Sequence, residues 1–302
     1  MTKETKTQVE NYRYQPKRID EIVVRPFFFE FPDNLEAIWV PHNAVRSHFW
    51  NGISLTMPYL EPYLIKTNRE AMQYIKEPAL IEDMKAFNGQ ERSHFECHRK
   101  VNELLKQNGH PQLGRIESYY DKSYKKLLTR NLRTRLAYSA GFETMTKGFT
   151  NWVISKRRKL WRGADKHMTS FWLMHLLEEG EHKTVAFDVY MAYSGKYFPR
   201  AIGVLHGSGH VMMLGMFAMF SALKKDRLLS KPLTYFLLVK EAMALIWNVH
   251  PYMLHALLPW HNPRSFEDPD WMLEWIKGHS SHDNNKPIPL VDTSHPDIPV
   301  PF

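Results

Sequence analysis

The sequence predicts an all-α protein built on a bundle of four long helices. Apolar residues recur at helical spacing over 79–108, 132–158 and 168–192. No series of alternating apolar and polar residues reads as a set of strands, and no internal repeat is present. Stop and cap residues fall between the periodic stretches: Glu77-Pro78, Asn108-Gly109, and Gly-Ala-Asp at 163–165. With 302 residues the chain can build one large core or at most two domains, and 43% hydrophobic with 13% aromatic residues is a folded composition.

Taken in order, residues 1–24 read as a flexible tail, and 21–34 mix β-branched and aromatic residues in what could be an extended arm. Residues 36–57 carry weak helical periodicity. Pro62 disfavours the α region at Glu61, so a helix is expected to begin or kink there and run to about Lys76. The helix over 79–108 places Met84, Phe87, Glu91, His94, Phe95, His98, Val101 and Leu105 on its inner face. A shorter basic, tyrosine-rich helix follows over 116–130. Residues 132–158 align Leu136, Glu143, Lys147, Thr150 and Ile154, and 168–192 is read as one helix. Residues 201–223 are uncharged and long enough to span a bilayer, although a core or membrane-surface helix is the favoured reading. A further apolar helix, interrupted by Lys240, Glu241 and His250-Pro251, covers 232–258. From 259 the chain is rich in Pro, Asp, His and Trp and ends as a polar tail. The expected organisation is a tail over 1–24, a helical-bundle domain over 25–225, and an extension over 226–302 packed on that domain.

Forty basic against thirty-two acidic residues leave a net charge of +8. Part of the excess lies in Lys156, Arg157, Arg158 and Lys159, read first as a solvated helix face. A basic surface also suits acidic lipids. No zinc-finger spacing or RNA-binding signature is found, so no nucleic-acid partner is expected. A single cysteine, Cys97, permits no intramolecular disulfide. That fits a reducing cytoplasm, and no secretory signal is expected.

The chemistry lies in a polar stripe on otherwise apolar helices. His175, Glu179 and His182 fall within about 60° of one another on one helix face. Glu179 and His182 form a Glu-x-x-His pair, the spacing that lets a carboxylate and an imidazole reach one metal ion. Glu91 and His94 repeat it. Glu61 precedes the first pair and Glu143 precedes the second. The order Glu, Glu-x-x-His, Glu, Glu-x-x-His is that of a di-metal carboxylate site in a four-helix bundle. Thirty residues separate Glu61 from Glu91 and thirty-six separate Glu143 from Glu179, each enough for a helical hairpin. The fifty-two between Glu91 and Glu143 leave room for the long crossover of ferritin-like folds. The fold expected is therefore a ferritin-like four-helix bundle with additional C-terminal apolar helices. The expected ligands are Glu61, Glu91, His94, Glu143, Glu179 and His182. His98, His175 and Glu178 are expected as additional ligands or as groups that orient the ligands. His206 and His210 are read as a core pair.

Certain stretches carry a family resemblance. They are Gln90-Glu91-x-x-His94-x-x-x-His98, Glu143 followed by Thr146, and His175-x-x-Glu178-Glu179-x-Glu181-His182-Lys183-x-Val185-Ala186-Phe187-Asp188-x-Tyr190. In them the chain resembles the bacterial predicted metal-dependent hydrolases, a family of ferritin-like character, over roughly 25–225. The resemblance implies a bound metal and an enzyme that is soluble or membrane-associated. Thr144 stands where the family usually has histidine.

Four carboxylates and two imidazoles suit two ions of iron, or else manganese, and would neutralise two divalent charges inside a bundle. Bridging glutamates can change binding mode with oxidation state, so the favoured activity is oxidation or hydroxylation of a hydrophobic or lipid-like substrate. Two-metal hydrolysis of an ester or amide is the alternative. A third, non-catalytic reading is a metal-binding, membrane-associated scaffold. The expected setting is the cytoplasm, in contact with the inner membrane, with a homodimer as a further expectation. The catalytic residues themselves are not read from the sequence.

Overall fold

A computed structural model describes residues 22–25, 29–279 and 289–295. Its helices are α1 (Ala44–Met72), α2 (Pro78–Gln107), α3 (Leu113–Leu128), α4 (Leu132–Trp161), α5 (Lys166–His182), α6 (Val185–Tyr193), α7 (Tyr197–Lys225), α8 (Pro232–Asn248), α9 (His250–Ala256) and α10 (Asp270–His279). The described residues contain no strand, in keeping with the all-α expectation. Helix α1 contacts α2 and α4, and α5 contacts the same two, so these four close a ring. Helix α3 lies in the crossover from α2 to α4 and packs on α1. Helix α7 lies along α1 and α4.

Local chemistry sets the helix ends. Side chains of Asn43, Asn131 and Asp165 accept from the first-turn amides of α1, α4 and α5. Pro78 opens α2, and Asn108 with Gly109 (φ 118°) closes it. Inside the ring, Trp50 packs on Trp172 with centroids 4.6 Å apart, and Trp161 joins them edge-on.

Several expectations are corrected. Helix α1 neither begins nor breaks at Glu61: it runs through both Pro58 and Pro62. Proline cannot donate to the carbonyl four residues back, and the Ser54 carbonyl thereby left over is met by Asn102 Nδ2 of α2 at 3.0 Å. A neighbouring helix thus restores the bond that the helix cannot make. The stretch 168–192 is two helices, interrupted at Lys183 and Thr184. Ion pairs on both sides fix the break: Lys183 with Asp268 at 2.6 Å and Asp188 with Arg264 at 2.6 Å. The region after 259 is more than a polar tail, because α10 buries Trp271, Met272 and Trp275. Farther on, Val291 N–H donates to Ser170 Oγ at 2.8 Å, and the Thr293 carbonyl accepts from Gly163 N–H. The stretch 232–258 likewise divides into α8 and α9. Of the tail expected over 1–24, residues 1–21 lie outside the described residues; Ile22 is buried.

Helix α7 buries one side, including Gly203, Val204, Gly207, Val211, Leu214 and Ala218, and exposes the other. His206 is exposed and His210 half-buried between Tyr138 and Ser123, so they do not form a core pair. Where α7 crosses α4, a Cβ on Gly203 would strike the Ala137 carbonyl, and one on Gly141 would strike the Gly203 carbonyl. Backbone meets backbone there. Gly203→Ala is therefore expected to destabilise the protein by about 1–3 kcal/mol, read by urea denaturation, whereas an alanine at the open Gly209 is tolerated.

Candidate metal centre

Each helix of the ring turns acids or imidazoles inward. Helix α1 supplies Glu61; α2 supplies Glu91, His94 and His98; α4 supplies Glu143; α5 supplies His175, Glu178, Glu179 and His182. The i, i+3 and i+4 spacings keep the α2 and α5 groups on one face of each helix. None of these residues exceeds 3% exposure. Aromatic rings fence them: Phe87 stands edge-on to His182 at 4.7 Å, and Phe171 and Trp172 stand against His98.

Two overlapping groups form within this pocket. Glu91, His94, Glu179 and His182 each offer an atom, all within 4.8 Å of one another, and Glu61, His94 and His175 do the same. Glu143 joins the first group, with Oε2 at 3.5 Å from His182 Nδ1. His98 joins the second, with Nε2 at 4.0 Å from Glu61 Oε1 and 3.1 Å from His175 Nδ1. Glu178 meets the two groups through His94, the residue they share. Its Oε2 lies 2.7 Å from His94 Nε2, and its Oε1 accepts from Arg25 Nη1 at 3.3 Å.

Sequence reasoning missed the supports around this pocket. Arg25 pairs with Glu178 and bidentately with Glu181, and stacks over Trp275 of α10. Gln90 also donates to Glu181. The available signal was a lone arginine in an apolar run, Val23-Val24-Arg25-Pro26-Phe27. Ser54 and Asn102 had no such signal, because their pairing follows from the Ser54 carbonyl that Pro58 leaves without a donor.

The donor set fits metal ions on two grounds. First, both carboxylate oxygens of Glu61, Glu91 and Glu143, and Oε2 of Glu179, are buried with no hydrogen-bond donor. Buried carboxylate oxygens left so are costly unless a cation faces them. Second, a chain of proton positions ends in a clash of lone pairs. Ser54 Oγ gives its only proton to Asn102 Oδ1, so it must accept from His98 Nδ1 at 2.8 Å. His98, neutral, then presents a lone pair at Nε2 and takes the His175 Nδ1 proton. Neutral His175 is left with a lone pair at Nε2, 3.0 Å from Glu179 Oε1. Two acceptors at that distance need a proton or a metal ion between them.

The electrostatics agree. Burial, and then the neighbouring carboxylates, push Glu61, Glu91 and Glu143 well above the ordinary carboxylate range. Burial also raises Glu179, but His182 and His175 outweigh it and bring it down to about 2. Burial lowers His94 to about 4 and holds His98 and His175 below their ordinary value. Burial lifts Glu178 to about 7 against the pull of Arg25. His94, His98 and His175 are thus neutral and ready to ligate, while Glu61, Glu91 and Glu143 retain protons when no metal is bound.

Two outcomes follow. Glu61, Glu91 and Glu143, raised in the folded state, keep protons that the unfolded chain has lost. The lowered His94, His98 and His175 offset this until unfolded histidines have titrated, so above about pH 6.5 metal-stripped protein loses stability as pH rises. Metal binding removes that loss, and thermal melts with and without chelator are expected to diverge as pH increases. Arg25→Met leaves Glu178 and Glu181 buried without their cation and is expected to cost about 3–5 kcal/mol in denaturant unfolding.

No curated protein and no solved structure matches the chain significantly. The model of one family, described as predicted metal-dependent hydrolase, matches residues 23–267 and so extends past the 25–225 over which the resemblance was read. The match spans most of the chain and includes every helix that lines the buried Glu and His cluster. The chain belongs to the predicted metal-dependent hydrolase family.

Proposed function

We propose that the chain is a two-metal carboxylate enzyme, iron being the favoured metal and manganese the alternative, that oxidises or hydroxylates an apolar group of its substrate. The observation that carries this reading is the set of donor-free carboxylate oxygens of Glu61, Glu91, Glu143 and Glu179 in one buried pocket. Glu91, Glu143, Glu179 and His182 would hold one ion. Glu61, His94 and His175 would hold the other, with His98 fixing the ring of His175 and Glu179 within reach of both. When bound, such a pair supplies electrons to an oxidant.

The chain's own residues do the rest. Glu178 fixes the ring of His94, and Arg25 fixes Glu178. Ser54 and Asn102 set the His98 proton. Phe87, Phe171 and Trp172 exclude water and favour an apolar group beside the cluster. Complete burial suits a reactant as small as dioxygen better than a bulky polar ester. An apolar groove lies between α4, α7, α8 and α9, and its lining includes Met145, about 200° around α4 from Glu143. The second reading, two-metal hydrolysis of an ester or amide, is favoured by the family's description.

Anaerobic loading with Fe(II) followed by oxygen tests the first reading. The expected result is oxygen consumption with a transient near-ultraviolet to visible band. Turnover of esters or amides with a redox-inert metal, and no response to oxygen, would favour hydrolysis. Silence in both assays with metal retained would overturn both readings. Glu91→Ala combined with Glu179→Ala is expected to abolish stoichiometric metal binding, measured by elemental analysis of the folded variant.

A further inference from the structure

Helix α8 is inside out for a water-soluble protein. Its sequence, PLTYFLLVKEAMALIWN, is almost wholly apolar, yet its only buried residues are Thr234 and Glu241. Phe236, Val239, Met243 and Trp247 are exposed at i, i+3 and i+4 spacing, the last at 72%. Helix α7 presents a matching stripe of Phe198, Ile202, Leu205, Met213, Met216 and Phe220, all exposed. Monomeric soluble proteins rarely leave so continuous an apolar surface uncovered.

The charges around this surface have one sign. Asp226 and Glu241 are the only acidic residues from 197 to 258. Asp226 is taken up by His48 and His110, and Glu241 by Arg46 and Asn43. Lys224, Lys225, Arg227 and Lys231, at the junction of α7 and α8, are exposed. On the other flank of α8 lies a groove of about 580 Å³ whose lining includes Lys156, Lys159, Arg162 and Lys240. The apolar strip therefore runs between two sets of cations with no outward-facing anion of its own.

A second copy of the chain would bring these cations against like charges. A bilayer rich in anionic phospholipid meets both features, with acyl chains against the apolar strip and phosphates against the lysines and arginines. Full immersion of α7 is ruled out by its packing on α1 and α4. We propose that α7 and α8 form an interfacial membrane-binding face that lies in the headgroup layer of an anionic bilayer, with the Lys156, Lys159, Arg162 and Lys240 groove holding lipid phosphate. The metal centre takes no part in this argument.

Flotation of the full, metal-loaded chain with vesicles tests it. Binding to phosphatidylcholine vesicles containing phosphatidylglycerol is expected, weaker by about tenfold or more on phosphatidylcholine alone and weakened by added salt. Phe236→Glu with Trp247→Glu, at exposed positions, is expected to abolish binding while the circular dichroism stays that of a folded helical protein. Lys156→Glu with Lys240→Glu is expected to remove the preference for anionic lipid. In the unaltered chain, brominated acyl chains are expected to quench tryptophan fluorescence, and Trp247→Phe to remove most of that quenching. Absence of binding to either vesicle, equal binding to both, or unquenched fluorescence would overturn the proposal. A dimer in sedimentation equilibrium that Phe236→Glu with Trp247→Glu dissociates would overturn it in favour of a second copy.

Discussion

Burial of Glu61, Glu91, Glu143 and Glu179 in one pocket is the constraint on which the rest of the structure depends. Carboxylates removed from water repel one another and lose hydration, a cost that packing alone does not offset. Four helices must nevertheless approach closely enough to bring them together. The ring of α1, α2, α5 and α4 does so by surrounding the acids with neutral imidazoles and aromatic edges. Such an interior is stable when cations occupy it. Folding and metal loading are then linked, and the apolar core alone is not the whole source of stability.

The outer parts of the chain act as braces for that interior. Arg25 reaches in from the N-terminal segment to two acids of α5, and Trp275 of α10 backs it. Just past the same end of α5, Asp268 joins Lys147 of α4 to Lys183. Burial lowers Lys147 to about 8 even though Asp268 opposes the shift, so this junction also depends on close partnering. Segments far apart in sequence thus hold the C-terminal end of α5, and Val291 N–H donates to Ser170 Oγ near its start. This explains why α5 can carry so many polar groups on a short, fully enclosed helix.

The helical class was legible because its signals are local: periodicity, caps and stops lie within a few residues of the elements they define. The inward direction of Glu91, His94, Glu143, Glu179 and His182 was legible for the same reason, since 3.6-residue spacing fixes which side chains share a face. What failed required a partner from elsewhere. Pro62 suggested a break at Glu61, and only Asn102, on another helix, shows how α1 continues through Pro58. The break at Lys183 depends on Asp268 and Arg264, far along the chain. Helix α10 was hidden by the Pro, Asp and His residues around it, although its tryptophans signalled burial. Glu178 and Glu179 are adjacent in sequence and differ in direction by about a third of a turn, too little for periodicity to separate. Arg25 separates them by claiming one.

The glycine contact between α4 and α7 has a mechanical consequence. Gly141 touches α7 through backbone, and Glu143, two residues along, turns into the acid pocket. Side-chain contacts can absorb a small displacement by changing rotamer, but a contact between main chains cannot. A push on the outer side of α7 is therefore passed on as a movement of α4 itself, and Glu143 moves with it. Within a single helical turn, α4 works as a rigid lever between the exposed surface of the molecule and its most enclosed carboxylates.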